Sequence, residues 1–566
     1  MKHTDWYKDA IIYQIYPRSF CDSNNDGMGD IQGIISKIDY LKNLGINCIW
    51  LSPVYDSPQE DNGYDISDYY SIYKPFGTMD DLKELIDKLH ENGIRLIMDL
   101  VVNHTSSEHK WFKEALKDSN SKYRNYYYFK KGKGKNYNRP PNNWTGFFGG
   151  TTWERVGNSP YYYLHLFAKG QPDLNWENEE VRKEVNNILK FYLDMGVDGF
   201  RCDVITLISK KQDFKNRAPT LALCGKDAYV NGPRLHEFLH ELYVDVYSNY
   251  DCMTVGETVL STLNEAKELT IPSREELSMV FNFDHTNVDN FFGVKWIERK
   301  FNLKRFKKVF SKWQNGMYEV NGWNSLFIEN HDQRRSPGRF NTSLDNEYKD
   351  ISSKMLASTY FLMQGTPFIY QGQELGMTNG DFKTIDDFKD VETHNIDKMR
   401  KEIPILRPIL NKSLFRESRD NARTPFQWDD SEFAGFSTIT PWIQVNKNKK
   451  EINAKKELQD ENSLLCYYQK LIKLRKEYKI IKTGKYNDLM PNSKYIFAYN
   501  RKENNEELVV ISNFSIKNIK CKLLSKYKEY KLLLSNYEDN DNTILKPYET
   551  RILYREGWIY EYMWNV

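Results

Sequence analysis

The 566-residue sequence has no uninterrupted apolar run approaching the roughly 20 residues that a membrane-spanning helix needs. Its opening stretch, MKHTDWYKDAIIYQIYPRSF, lacks an h-region and a small-residue cleavage site, so no secretory leader is expected. Seven cysteines (Cys21, Cys48, Cys202, Cys224, Cys252, Cys466, Cys521) are scattered without a CxxC pair. Such a set reads as reduced thiols of a cytoplasmic protein and excludes a disulfide scaffold. Charge of one sign is also missing: 80 Lys+Arg against 78 Asp+Glu leave a net charge of +2. That balance gives no global field to attract nucleic acid or anionic lipid. HExxH, GxSxG and phosphate-loop motifs are absent, and YPRSFCDSNNDG stands where a dinucleotide fingerprint would follow the first strand. What survives these exclusions is a soluble multi-domain enzyme.

Aromatic residues are abundant, at 14% of the chain. They fit either an aromatic-rich core or sugar-binding faces. Eight short, nearly all-apolar runs recur at 10–17, 46–53, 95–104, 197–205, 252–257, 279–285, 325–332 and 366–374. Continuous apolarity is the pattern of strands buried on both faces. Between them lie amphipathic segments such as 79–93 and 178–196; the second carries Val181, Val185, Ile188, Leu189 and Tyr192 on one stripe, and both end in glycine. Eight such strands alternating with helices predict a (β/α)₈ TIM barrel, with an open doubly wound sheet as the competing fold. The Tyr/Asn/Gly-rich stretch 105–176, without helical period, reads as a loop domain inserted after strand three. Short strands and turns from 482 onward read as an antiparallel β-domain, sandwich-like and running to 566. The barrel is therefore assigned to 1–104 and 177–481.

Catalytic side chains of such barrels lie at the C-terminal ends of strands. There the sequence places Asp99 and Asn103-His104, then Arg201 and Asp203, Glu257, and finally Glu329-Asn330-His331-Asp332. A single acid at a strand end is commonly a helix cap. Three acids on separate strand ends, with an arginine and two histidines around them, need another reason to persist. Glycosidic cleavage supplies one, because it uses one carboxylate as nucleophile and one carboxylic acid as proton donor. In this reading Arg201 keeps Asp203 ionised by lowering its pKa. Glu257, in a less charged setting, holds a proton near neutral pH. Cys202, between Arg201 and Asp203, should point the opposite way, into the helix layer.

The motifs DLVVNH (99–104), GFRCDVI (199–205), TVGET (254–258) and ENHD (329–332) resemble, in order, the signature regions of the α-amylase superfamily of glycoside hydrolases. QPDLNWEN (171–178), GQELGMTN (372–379) and ARTPFQWDDSEFAGF (422–436) are similar to those of its oligo-1,6-glucosidase and α-glucosidase group. The resemblance implies Asp203 as nucleophile, Glu257 as acid/base and Asp332 as a third acid holding sugar hydroxyls. It implies that His104, Arg201 and His331 surround the glucosyl unit. Asp61 and Tyr64 in DNGYD, with Arg419 and Arg423 in RDNAR, would close the pocket as in exo-acting members, and Phe167 would add a wall. The activity implied is a retaining α-glucosidase that needs no catalytic cofactor. It would trim terminal α-1,6-linked (and α-1,4-linked) glucose from isomaltose-type oligosaccharides through a glucosyl-Asp203 intermediate. Val204, after the nucleophile, resembles α-1,6-acting members and is either a specificity residue or barrel core.

The loop DSNNDGMGD (22–30) alternates Asp22, Asn24, Asp26 and Asp30. By itself it reads as a turn, or as an oxygen site for Ca²⁺ or Mg²⁺ completed by the Met28 carbonyl. The resemblance implies a structural ion there. One departure stands out: after His331-Asp332 the group continues Gln-Pro-Arg, whereas this chain reads Gln333-Arg334-Arg335-Ser336-Pro337-Gly338-Arg339. Those arginines are either a solvated loop or a seat for phosphate. Trehalose-6-phosphate hydrolase, sucrose-type disaccharide hydrolase and sucrose isomerase therefore stay open beside the α-1,6-glucosidase. A non-catalytic transporter subunit would have lost the three acids that this chain keeps. A small α-glucoside is the only partner expected, with the chain a monomer or weak homo-oligomer.

Overall fold

The computed structural model describes residues 4–220, 222–291 and 294–557. Eight parallel strands run in the order the sequence predicts: β1 (Ile12–Ile15), β2 (Cys48–Leu51), β3 (Arg95–Leu100), β4 (Gly199–Cys202), β5 (Met253–Glu257), β6 (Met279–Phe281), β7 (Ser325–Leu326) and β8 (Thr366–Tyr370). Each pairs with its sequence neighbour, β1 pairs with β8, and a parallel bridge from Val280 to Asn324 joins β6 to β7. The sheet is therefore a closed (β/α)₈ barrel and not an open doubly wound sheet.

Strand alternation sorts the side chains into two cores. Ile12, Cys48, Trp50, Ile97, Met253, Val255, Phe281 and Phe368 fill the barrel interior. Tyr13, Ile49, Leu96, Phe200 and Cys202 face the helix layer. Cys202 thus points away from its neighbours Arg201 and Asp203, as expected. Gly199 opens β4 without a side chain because a Cβ there would stand 2.2 Å from the Met253 carbonyl oxygen.

The helices follow their sequence signals. Met79–Glu91 starts at a Thr78–Asp81 capping box and buries Leu82, Leu85, Ile86 and Leu89. Glu179–Met195 starts at Asn178, ends at Gly196 with φ +109°, and buries the predicted Val181–Tyr192 stripe. One local expectation fails. Within 105–176, where no helical period was seen, Lys110–Lys117 is helical and buries Trp111, Phe112 and Ala115. Two turns are too few for the period to stand out among the surrounding aromatics. The rest of the insert is built on a three-stranded antiparallel sheet (Phe129–Lys131, Tyr161–Leu164, Trp153–Arg155).

After the barrel, β9 (Lys485–Asp488), β10 (Ile496–Glu503), β11 (Glu506–Asn513), β12 (Lys531–Ser535) and β13 (Thr550–Arg555) form an antiparallel sheet, with β13 between β11 and β12. The last residues assigned to this domain, 558–566, lie outside the described residues. The run at 325–332 is a ladder only over Ser325–Leu326. The following residues leave the sheet and carry Glu329, His331 and Asp332 over the barrel mouth. No helix among the described residues is long and apolar enough to cross a membrane.

Candidate active site

A cavity of about 290 Å³ opens at the C-terminal mouth of the barrel, lined by Asp61, Tyr64, His104, Phe167, Asp203, Val204, Glu257, Asp332 and Arg419, among others. Sequence-predicted residues from seven separate segments therefore meet at one place. Arg201 and Arg423 lie just beneath its surface, 2% and 1% exposed.

Arg201 organises the acids. Its Nη1 donates to Asp99 Oδ1 at 2.6 Å and to Asp203 Oδ1, and its Nη2 lies 2.8 Å from Glu257 Oε2. Asp99 also accepts the Trp50 indole N–H at 2.8 Å. Glu257 Oε2 accepts the backbone N–H of Val204 at 3.0 Å, which leaves Oε1 outside these contacts. Val204 makes that bond from a left-handed backbone, φ +35° and ψ +39°, a region that β-branched residues rarely occupy. Its side chain lines the cavity and also packs into the aromatic core of the insert.

The expected division of labour through Arg201 is not what the geometry gives. One guanidinium faces three carboxylates, so it cannot depress Asp203 alone. Burial pushes Asp203 and Glu257 both up to about 7 and Asp99 to about 6, with Arg201 pulling each down and the neighbouring carboxylates pushing back. Near neutral pH the cluster holds a shared proton, and its members titrate as a group. Asp332 is different. Burial raises it, but His331, Arg419 and Arg423 together outweigh burial and hold it well below the ordinary carboxylate range. Arg423 Nη2 is 2.9 Å and Arg419 Nη1 3.4 Å from Asp332 Oδ1. His331 sits against Asp332 as a neutral imidazole near pH 7, so there the arginines carry the charge that holds Asp332 down. Burial drives its pKa down to about 3, Gln14 Nε2 donates to its Nδ1 at 2.8 Å, and Nε2 faces Asp332 at 3.2 Å.

The closed end of the pocket is a pair: Asp61 Oδ1 lies 2.8 Å from Arg419 Nη2, and Asp390 holds the same arginine through Nε at 2.9 Å. Tyr64 stacks on His331, with centroids 5.3 Å apart and planes at 6°. Phe167 packs on His104 and on Phe147, and Phe148 lies 5.0 Å beneath the Arg419 guanidinium. Gln171, from the QPDLNWEN motif, ties these parts together by donating to Asp61 and to the Tyr64 carbonyl. Its position in that motif was the signal for it. Asp390 had no sequence signal.

Lys210 was also missed. Fully buried, its ammonium donates to Asn103 Oδ1 at 3.0 Å and to the Leu207 carbonyl at 2.7 Å, and pairs with Asp173 of the insert at 2.9 Å. It pins the insert to the barrel beside His104.

The arginines after Asp332 do not form a solvated loop: Arg334, Arg335 and Arg339 are all buried, and Arg334 and Arg339 line the cavity. Arg334 lies 2.9 Å from Asp289 and 3.1 Å from Glu417. Arg339 grips both oxygens of Asp289 at 3.0 Å, and Arg335 pairs with Glu329 at 3.0 Å. Lys295, which lines the same cavity, is bound by Glu392.

In the loop 22–30, Asp22 Oδ1 accepts the amides of Asn24 and Asn25, Asn24 accepts that of Asp26, and Asp26 accepts that of Met28. Asp30 accepts from Ser23 and caps the helix at Gly33. Among the described residues, no group of three His, Cys, Asp or Glu side chains converges as a metal cluster. The donors are nonetheless all oxygens and include the amide of Asn24 and the Met28 carbonyl, a chemistry that suits a hard divalent cation.

A closed barrel, an insert after β3 and buried carboxylates around a guanidinium at its mouth define a glycoside hydrolase site. The chain belongs to the α-amylase family: the alpha amylase catalytic domain model matches residues 14–484. It is 51% identical over 559 residues to the oligo-1,6-glucosidase of Parageobacillus thermoglucosidasius, covering 97% of this chain and 98% of that one. Among solved structures it is similar to trehalose-6-phosphate hydrolase from Bacillus licheniformis (TM-score 0.90, 46% identity, 97% and 99% covered). It is also similar to isomaltulose synthase from Klebsiella sp. LX3 (TM-score 0.92, 38% identity, 97% and 99% covered).

Proposed function

We propose that this glycoside hydrolase is an exo-acting, retaining oligo-1,6-glucosidase. Asp203 attacks the anomeric carbon and Glu257 protonates the departing oxygen. The covalent β-glucosyl-Asp203 ester is then hydrolysed by a water that Glu257 deprotonates. Arg201 offsets one negative charge among Asp99, Asp203 and Glu257, and the reaction draws on the singly protonated form of this cluster in which the proton sits on Glu257 and Asp203 is ionised. Asp332, kept anionic by Arg419 and Arg423, is suited to grip two sugar hydroxyls as the ring distorts. Tyr64 supplies a stacking face, and the Asp61–Arg419 pair ends the pocket after one glucosyl unit.

The observation that carries the choice of substrate is the charge state of the cavity wall. Lys295, Arg334, Arg339 and Arg419 each already have a carboxylate partner. A phosphorylated leaving sugar would need an unpaired cation, whereas a neutral one meets a balanced polar wall. Glucose release from isomaltose, trehalose 6-phosphate and sucrose by the purified protein tests this. Isomaltose should give the highest kcat/KM; preference for the phosphorylated sugar, or conversion of sucrose to isomaltulose, overturns it. The pH profile for isomaltose should lose activity on the alkaline side with an apparent pKa near 7, as the shared proton leaves.

The loop Asp22, Asn24, Asp26, Met28 and Asp30 is proposed to hold a structural Ca²⁺ or Mg²⁺, remote from the chemistry. A chelator should lower Tm and leave kcat unchanged at 25 °C. The free thiols and balanced charge support a cytoplasmic enzyme acting as a monomer or weak homo-oligomer.

A further inference from the structure

Where the barrel meets the C-terminal sheet, two arginines are buried with no acid beside them. Arg475, on the helix Leu464–Glu477, is 2% exposed, and Arg501, on β10, is fully buried. Arg475 has its donors engaged. Nη1 donates to the Phe361 and Met363 carbonyls at 2.7 and 2.8 Å, and Nη2 to that of Gly365. These carbonyls follow the C-terminus of the helix Lys349–Phe361, where a cation is favoured.

Arg501 is not satisfied in this way. Its Nη1 donates to Gln314 Oε1 at 3.1 Å, an oxygen that already accepts the Gln364 amide at 2.9 Å. Its Nε and Nη2 are buried without a partner. Those two nitrogens carry the side-on pair of N–H groups with which a guanidinium binds one anion bidentately. The ionisable groups facing Arg501 are the tyrosines Tyr318, Tyr486 and Tyr499, with burial pushing Tyr486 and Tyr499 further up, and Arg475 faces Arg501 itself. Asp9, the one carboxylate felt by Arg475, is surface-exposed and bound to Lys482. Two guanidinium charges thus share a buried seam without a carboxylate beside them, an arrangement that is costly unless something balances it.

We propose that the side-on fork of Arg501, with Arg475 behind it, is a binding site for one small monovalent anion of the chloride class. Tyr486, opposite Arg501 on β9, and Tyr499, two residues before it on β10, stack 5.2 Å apart, and two bulky rings at this position favour a monatomic ion over a larger oxyanion. The site lies apart from the carboxylate cluster, so the anion strengthens the union of barrel and sheet and takes no part in hydrolysis.

Crystals of the full chain soaked in sodium bromide should show an anomalous bromine peak within hydrogen-bonding reach of Arg501 Nε and Nη2. In solution, Tm should be about 1–2 °C higher in sodium chloride than in sodium gluconate of equal ionic strength. Arg501→Met should abolish that difference while glucosidase activity at 25 °C persists. A water at the fork in place of bromine, or equal Tm of the unaltered protein in the two salts, overturns the proposal. If Arg501→Met does not fold, the bromide experiment on the unaltered chain decides.

Discussion

The two sides of the cavity use the same residue types to opposite ends. On the glucosyl side acids outnumber the base: Arg201 alone serves Asp99, Asp203 and Glu257. On the acceptor side bases and acids are matched, with Arg334, Arg339 and Arg416 facing Asp289, Glu417 and Glu298. An excess of buried carboxylates stores a proton and keeps pKa values near the working pH, which chemistry needs. A matched set stores nothing and presents a neutral wall, which suits an uncharged leaving sugar. The distinction therefore lies in the ratio of charges and not in their presence.

Substitutions on each side should separate these roles, beginning with the largest effect. Asp203→Ala should lower kcat for isomaltose by roughly 10⁴-fold or more with the fold intact, measured by glucose release and circular dichroism. Near-normal turnover would remove the carboxylate excess from the mechanism. Arg419→Ala breaks the Asp61 pair and frees Asp332 from one of its cations. We expect kcat/KM to fall by about 10²-fold, in both KM and kcat, because the group touches ground and transition states alike. Glu417→Gln unbalances the acceptor wall by leaving Arg334 with Asp289 only in part. Relative kcat/KM for trehalose 6-phosphate over isomaltose should rise a few-fold; no change would mean that charge matching does not set the leaving-sugar preference.

The last effect lies outside the cavity and concerns stability. Glu374 is fully buried, accepts Tyr13 and Tyr40 hydroxyls at 2.7 Å, and is pushed by burial to about 7. Its folded pKa exceeds the ordinary value of 4.5, so folding takes up a proton. That contribution is complete below pH about 4.5 and is lost as the pH rises through 7. Glu374→Gln should therefore raise Tm at pH 8 relative to the unaltered protein, by at most about 3 kcal/mol in stability, and change it little at pH 4.5.

The barrel was legible because apolar runs mark doubly buried strands, and the acids were legible because they interrupt those runs at their C-terminal ends. Asp61, Tyr64 and Arg419 came from resemblance alone; nothing in their local sequence says that residues 358 apart form an ion pair. The pKa assignment failed for a similar reason. Adjacency along β4 made Arg201 look like the partner of Asp203, but its guanidinium also reaches Asp99 on β3 and Glu257 on β5. The burial of the arginines after Asp332 was not legible because the partners of Arg334, Asp289 and Glu417, lie 45 and 83 residues from it in opposite directions. Lys210 gave no signal, since a buried lysine is indistinguishable from an exposed one until its carboxylate is found.

Lys210 has a practical consequence. The positive charge that fastens the insert to the barrel is carried by the polypeptide, so it arrives with translation in a fixed ratio of one per chain. It cannot be stripped by citrate, exchanged for a competing ion or diluted away. The half of the sugar pocket that the insert contributes is thereby insulated from the ionic composition of its surroundings. Only an event that neutralises the amine itself, such as acylation during a transient opening, would unfasten it.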